Sequence, residues 1–275
     1  MPSMRRVFAS LILSLVLTGC QETWTAKPWD FSETAIVGGT DAALNTTGAR
    51  SVVMISGETS DGRSYVCTGS FINEKYILTA GHCVDEKPEQ LRLMFGLRPF
   101  RDRNYVRLKA IRVVRHESYL QSPNQRHDVA LIEFAGGLPL GARVVARAEG
   151  RQRAGERPQV FSLGYGLTRG AEDSNPQDEG VLRVVQMKIS AESSPDLNGL
   201  VVNQEDGRGV CSGDSGGPLF ALDRDGALIQ IGIASGVYAP ELQQSAPEST
   251  DPCFLRSLFM DVSKYQTWIE TQISR

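Results

Sequence analysis

Histidine is scarce in this chain, with three residues in 275, so few side chains can act as a base near neutral pH. Cysteine is sparse as well: five residues, no C-x-x-C pair, and a single histidine adjacent to one of them, which excludes the usual zinc-ligand spacings. Charge of one sign is lacking, because 29 Lys and Arg stand against 32 Asp and Glu for a net -3. That balance gives no reason to expect a nucleic-acid partner, and the arginines between Arg98 and Arg115 recur too loosely to read as more than a solvated basic face. Long apolar runs are missing too; Val7 to Leu17 is too short to span a bilayer as a helix. No internal repeat and no low-complexity segment occurs. What remains, 41% hydrophobic and 22% charged, is an ordinary globular composition and excludes wholesale disorder.

The first residues read as a targeting segment. Arg5 and Arg6 precede the apolar run, which ends in "LTGC", Leu17 to Cys20. This string resembles a bacterial lipoprotein signal, in which the cysteine thiol receives diacylglycerol; a plain secretory signal is the other reading. Either way residues 1–20 predict export, and Cys20 predicts a lipid anchor in the bacterial cell envelope, at the outer membrane. Residues 21–35, "QETWTAKPWDFSETA", have no clean period and read as a linker or pro-segment. In an exported chain the other four cysteines, Cys67, Cys83, Cys211 and Cys253, predict two disulfides. Four cysteines allow three connectivities, and spacing alone does not choose among them.

From Ile36 onward, short apolar runs are broken by Gly, Asn, Asp and Pro. "SVVMIS", "SFINEKYILTA", "LRLMFG", "RLKAIRVVRH", "DVALIEF", "QVFSLGYG", "LRVVQMKIS", "GGPLFAL" and "LIQIGIASGV" all favour strands. Strands recurring without helices between them predict an all-β antiparallel sandwich or barrel and argue against βαβ units. The end differs: "DVSKYQTWIETQISR" sets Val262, Tyr265, Trp268 and Ile269 at helical spacing, which predicts a closing amphipathic helix. Gly170 to Gly180 and Ala239 to Asp251 are polar and read as exposed loops.

One stretch carries chemistry. "GVCSGDSGGPLF", residues 209–220, hems Ser215 in glycines, which suits either a tight turn or a nucleophile presented on one. A serine hydroxyl attacks well only when a neighbouring base takes its proton. His116, in "VVRHESY", reads as a surface residue. His127 directly precedes Asp128, and neighbours on a strand face opposite ways, so only one of the two can face a given site. His82, in "LTAGHCVD", is left as the best base. Asp128 opens the apolar run "DVALIEF", where a carboxylate needs partners; taken alone it reads equally as a turn or capping residue and as the acid that orients a histidine.

Four strings in order resemble the chymotrypsin-type serine proteases: "IVGG" at Ile36 to Gly39, "LTAGHC" at Leu78 to Cys83, "DVALI" at Asp128 to Ile132 and "GDSGGP" at Gly213 to Pro218. The resemblance covers Ile36 to Arg275. It implies two six-stranded β-barrels with the site in the cleft between them. The order His82, Asp128, Ser215 and the helix-poor Gly216, Gly217, Pro218 exclude the rival "GxSxG" elbow, whose serine leads into a helix. By the resemblance, Ser215 is the nucleophile, His82 the base and Asp128 its orienting acid. The Gly213 and Ser215 N–H groups form the oxyanion hole, and Ser235 supports Asp128. It also implies the pairs Cys67–Cys83 and Cys211–Cys253, a protein or peptide substrate, no cofactor, no metal and a monomer. A proteolytically inert binding module on the same fold is the alternative.

"IVGG" further implies a zymogen. Cleavage between Ala35 and Ile36 would free an ammonium at Ile36 to pair with Asp214. Ala35, in place of the Arg or Lys of many relatives, argues against a trypsin-like activator, and a cut there would also sever Cys20 and any lipid from the domain. For specificity, the resemblance maps the pocket floor to Gly209 and the walls to Val237 and Ser257. A neutral floor and a valine wall imply cleavage after small or aliphatic residues rather than Arg or Lys. Gly236 stands where the family usually has tryptophan, and Arg208 and Arg256 near the pocket keep an acidic preference open.

Overall fold

Period-2 alternation and β-branched runs produce fourteen strands in this computed structural model, which describes residues 36–84, 87–102, 104–119, 127–148, 160–170, 175–194, 198–204, 206–223, 225–238 and 251–275. The signal segment with Cys20, the pro-segment with Ala35, residues 171–174 of the first polar loop and 239–250 of the second lie outside the described residues.

The first barrel is the closed ring of β2 (Val52–Glu58), β3 (Ser64–Phe71), β4 (Tyr76–Thr79), β7 (Ala130–Ala135), β6 (Val106–Arg115) and β5 (Arg92–Phe95). The run "SFINEKYILTA" divides into two strands because Asn73 ends the first. Its side-chain oxygen accepts from the N–H groups of Lys75 (2.8 Å) and Tyr76 (2.7 Å), which winds the chain back so that Ser70 pairs with Leu78. The second ring runs β9 (Val160–Gly164), β10 (Arg183–Ser194), β11 (Gly199–Asn203), β14 (Ser257–Asp261), β13 (Leu228–Val237) and β12 (Pro218–Leu222), closed by pairing of β12 and β10 with β9. Two short strands hang on it: β1 (Thr40–Asp41) on β10, and β8 (Ala146–Arg147), parallel, on β13. All ladders within the rings are antiparallel, and closure leaves neither sheet an open edge. The predicted all-β double barrel is therefore the fold.

Each barrel fills with its own side chains: Ile55, Phe71, Leu78, Leu93 and Leu131 in the first, Val160, Val185, Val202, Leu219 and Phe259 in the second, all fully buried. A third cluster, with Met54 and Val66 from one barrel and Phe161, Leu163 and Phe220 from the other, glues the two together. Polar ties cross the same interface. Ser70 donates to the Gln230 side-chain oxygen (2.7 Å), and the buried Tyr165 hydroxyl donates to the Gly96 carbonyl (2.8 Å).

The closing helix is present but shorter than its pattern. Asp261 accepts from the N–H and hydroxyl of Ser263, winding a tight 3-10 turn over Val262–Lys264, and α1 (Gln266–Ile273) starts only after it. Val262, Tyr265 and Ile269 join the first barrel's core cluster.

Candidate active site

Each chemistry-bearing residue sits where a strand of one barrel ends against the other. His82 lies on a one-turn 3-10 helix (Gly81–Val84) that follows β4, held by the Cys67–Cys83 disulfide to β3 (Cα–Cα 6.0 Å). Asp128 stands just before β7 and is fully buried. It faces His82, while its neighbour His127 turns away at φ 60°. The Asp128 carboxylate accepts three hydrogen bonds: from the His82 backbone N–H (2.9 Å), from His82 Nδ1 (2.8 Å) and from the Ser235 hydroxyl on β13 (2.6 Å). Such donors compensate the desolvation of a buried charge and fix Nδ1 as the protonated ring nitrogen. The His82 ring itself stays about a third open to solvent (30%).

Ser215 occupies the turn before β12, pinned from the first barrel. Its carbonyl accepts from the Thr68 N–H (2.8 Å) on β3, and Cys83 Sγ, next to His82, lies 3.5 Å from the same oxygen. The Thr68 hydroxyl donates to the Gly213 carbonyl (2.9 Å) and accepts from the Tyr165 N–H (3.2 Å). Thr68 is thus a clamp on the serine loop that no motif announces. Gly213 (φ 96°) and Gly216 (φ 79°) take the left-handed backbone that L side chains avoid. A Cβ at Gly216 would also drive into Thr79 and the Thr68 carbonyl.

Asp214 is buried with its two oxygens accepting from the N–H groups of Gly166 (2.8 Å) and Cys211 (2.9 Å). Burial pushes its pKa up to about 7, against the pull of those N–H groups and of Arg183. Gly164 and Gly166 leave it room, since a Cβ on either would strike the carboxyl. Ile36 is fully buried in the second barrel's core cluster.

A cavity of about 160 Å³ opens beside Ser215. Its lining includes Val237 and Ser257, with Ser235, Gly236, Cys211 and Cys253. Cys211 and Cys253 are disulfide-bonded, as the resemblance implied. Gly209, mapped to the pocket floor, is not among the residues that line the cavity. A side chain there would collide with the buried amide of Gln204, a residue that sequence reasoning missed and that no local signal marks. Neither Arg208 nor Arg256 lines the cavity among the described residues; Arg208 is exposed and the Arg256 guanidinium lies over the Tyr238 ring (5.5 Å).

His116 departs from the surface position expected of it. It stacks on His127 with ring centroids 4.7 Å apart, against Tyr265 and Trp268, because the closing helix covers it. Burial lowers its pKa. The ring of His82 also comes within 4.8 Å of the sulfurs of Cys67 and Cys83, but those sulfurs are committed to the disulfide and offer no thiolate to a metal.

The trypsin family profile matches residues 36–269, the double barrel and the first half of its closing helix. The chain belongs to the trypsin family. Among curated trypsin-family relatives, it is 30% identical to a chymotrypsin of Phaedon cochleariae over 232 residues, covering 80% of this chain and 75% of that one. It is 30% identical to chymotrypsin-like elastase family member 1 of Macaca fascicularis, covering 98% and 97%. It is 26% identical to granzyme M of Rattus norvegicus, covering 88% and 91%. This trypsin-family chain is accordingly a chymotrypsin-like serine endopeptidase acting on protein or peptide substrates.

Proposed function

We propose that the endopeptidase works through His82, Asp128 and Ser215, is made as a precursor, and cuts after small or aliphatic residues. The observation that carries the triad is the fully buried Asp128 carboxylate held by His82 Nδ1 and Ser235. With Nδ1 so engaged, Nε2 is the nitrogen left to take the Ser215 proton as Oγ attacks the scissile carbonyl, and later to return it to the leaving amine. Asp128 keeps the tautomer and stabilises the imidazolium. The Gly213 and Ser215 N–H groups receive the developing oxyanion, a contribution of about 2.7–4 kcal/mol for one such donor.

Activation is cleavage at Ala35–Ile36, after which the new ammonium pairs with Asp214. The buried, high-pKa carboxyl supports this reading, because it has most to gain from a cation. The absence of a carboxylate from the described pocket lining supports preference against Arg and Lys. The "LTGC" string supports export and lipidation of Cys20 in a bacterial envelope before the cut frees the domain.

The deciding experiment uses protein with a confirmed Ile36 N-terminus and profiles peptide cleavage against a Ser215→Ala control. Cuts after Ala or Val that vanish in the control support the proposal. Cuts after Arg or Lys overturn the specificity, and inertness toward both peptides and an active-site serine phosphonate overturns the triad.

A further inference from the structure

We infer that the pocket beside Ser215 selects short side chains carrying a hydrogen-bond donor, serine and threonine, and that Gln204 is the positioning residue that makes it do so. The inference rests on the reading of Ser215 as nucleophile.

Val237 is half exposed and stands at the pocket's mouth, whereas Ser257, its cross-strand partner, is buried at depth. Behind Ser257 lies the fully buried Gln204 amide. Its Nε2 donates to the carbonyls of Cys253 (2.9 Å) and Val210 (3.2 Å), which uses both of its protons. Its Oε1 accepts from the Val210 N–H (2.8 Å) and from the Ser257 hydroxyl (2.5 Å), which uses both lone pairs. The amide cannot be turned over. A flip would set its NH2 against the Val210 N–H and its oxygen against two carbonyls.

The Ser257 hydroxyl proton is therefore committed to Gln204, and Ser257 offers the pocket only lone pairs. A neutral acceptor at the base matches a substrate hydroxyl. It meets a carboxylate lone pair against lone pair, so the nearby arginines do not make the site acidic-selective. A buried ammonium or guanidinium would find no counter-charge in the described lining. Among isosteric side chains, threonine pairs with Ser257 where valine leaves the oxygen under-used.

The test compares peptides differing only in Thr, Val or Asp before the scissile bond, on Ile36-terminated enzyme whose working sites are counted with an active-site phosphonate. Per titrated site, kcat/KM should favour Thr over Val by roughly twofold to tenfold, the range of one net hydrogen bond, with Asp poorest. Ser257→Ala should bring the Thr/Val ratio to about one. Gln204→Met, by freeing the Ser257 hydroxyl to rotate, should shrink that ratio and improve Asp relative to Thr. Val equal to or better than Thr, or Asp as the best substrate, overturns the inference while the triad stands. A failure of phosphonate labelling instead overturns the underlying reading.

Discussion

Thr68→Val replaces one hydroxyl by a methyl of nearly the same shape, yet it reaches both barrels. The Thr68 N–H to the Ser215 carbonyl is backbone and survives the change. What goes is the hydroxyl, leaving the Gly213 carbonyl without its donor and the Tyr165 N–H without its acceptor. Thr68 is fully buried, so water does not replace either partner freely. A stranded buried polar group costs about 1–3 kcal/mol, so two cost about 2–6 kcal/mol, a large share of the roughly 5–15 kcal/mol that holds a domain folded. The same loss loosens the peptide between the two N–H groups read as the oxyanion hole. If 1–2 kcal/mol of it is felt in the transition state, kcat per titrated site falls about five- to thirtyfold. Urea unfolding and phosphonate-normalised kinetics read the two effects separately. Thr68→Ser, which keeps the oxygen, should restore most of both. Wild-type unfolding midpoint together with wild-type kcat in Thr68→Val would refute the clamp.

Three further predictions concern buried donors and protons. Ser235→Ala removes the 2.6 Å donor to Asp128 and should lower kcat/KM by about tenfold while phosphonate titration still counts full sites; an unchanged rate would show that two donors suffice. In the uncleaved chain, Asp214 binds its proton more tightly folded than unfolded. Between its ordinary value of 3.8 and about 7 this contribution to stability falls as pH rises, and Asp214→Asn should flatten that slope in unfolding measurements. His116 is the opposite case: burial lowers its pKa, so the unfolded chain takes up the proton first and stability is lost as pH falls through 6.5. His116→Phe, which keeps a ring against His127, should remove that loss, and an unchanged acid slope would assign it to other groups.

The strands that alternate or run β-branched between turn residues are those that the sequence makes legible, and the resemblance orders them into two barrels. β11 ("GLVVN") and β14 ("SLFMD") escape because each is only five residues long and mostly buried, so no polar face alternates with an apolar one. β14 also runs straight into the helical pattern. His82, Asp128 and Ser215 are readable because each lies in a string of several unusual residues. The Thr68 hydroxyl bonds backbone groups of Gly213 and Tyr165, and the Gln204 amide joins Val210 to Cys253 and Ser257; partners 49 to 145 residues away leave no local pattern. For the same reason no string points to the Gln204 amide, which any side chain at Gly209 would strike.

The closing helix ties the end of the chain to its first half. Trp268 Nε1 donates to Glu117 across 151 residues, and the Gln272 carbonyl accepts from Arg112 across 160. Contacts at such separation carry a high loop-closure entropy and form late. A chain still emerging from synthesis or export lacks the Val262, Tyr265 and Ile269 wall of its first barrel, the barrel that carries His82 and Asp128. Truncation ahead of Val262 is therefore expected to cost more than the contacts of one short helix, because it uncovers the core of the barrel on which His82 and Asp128 sit.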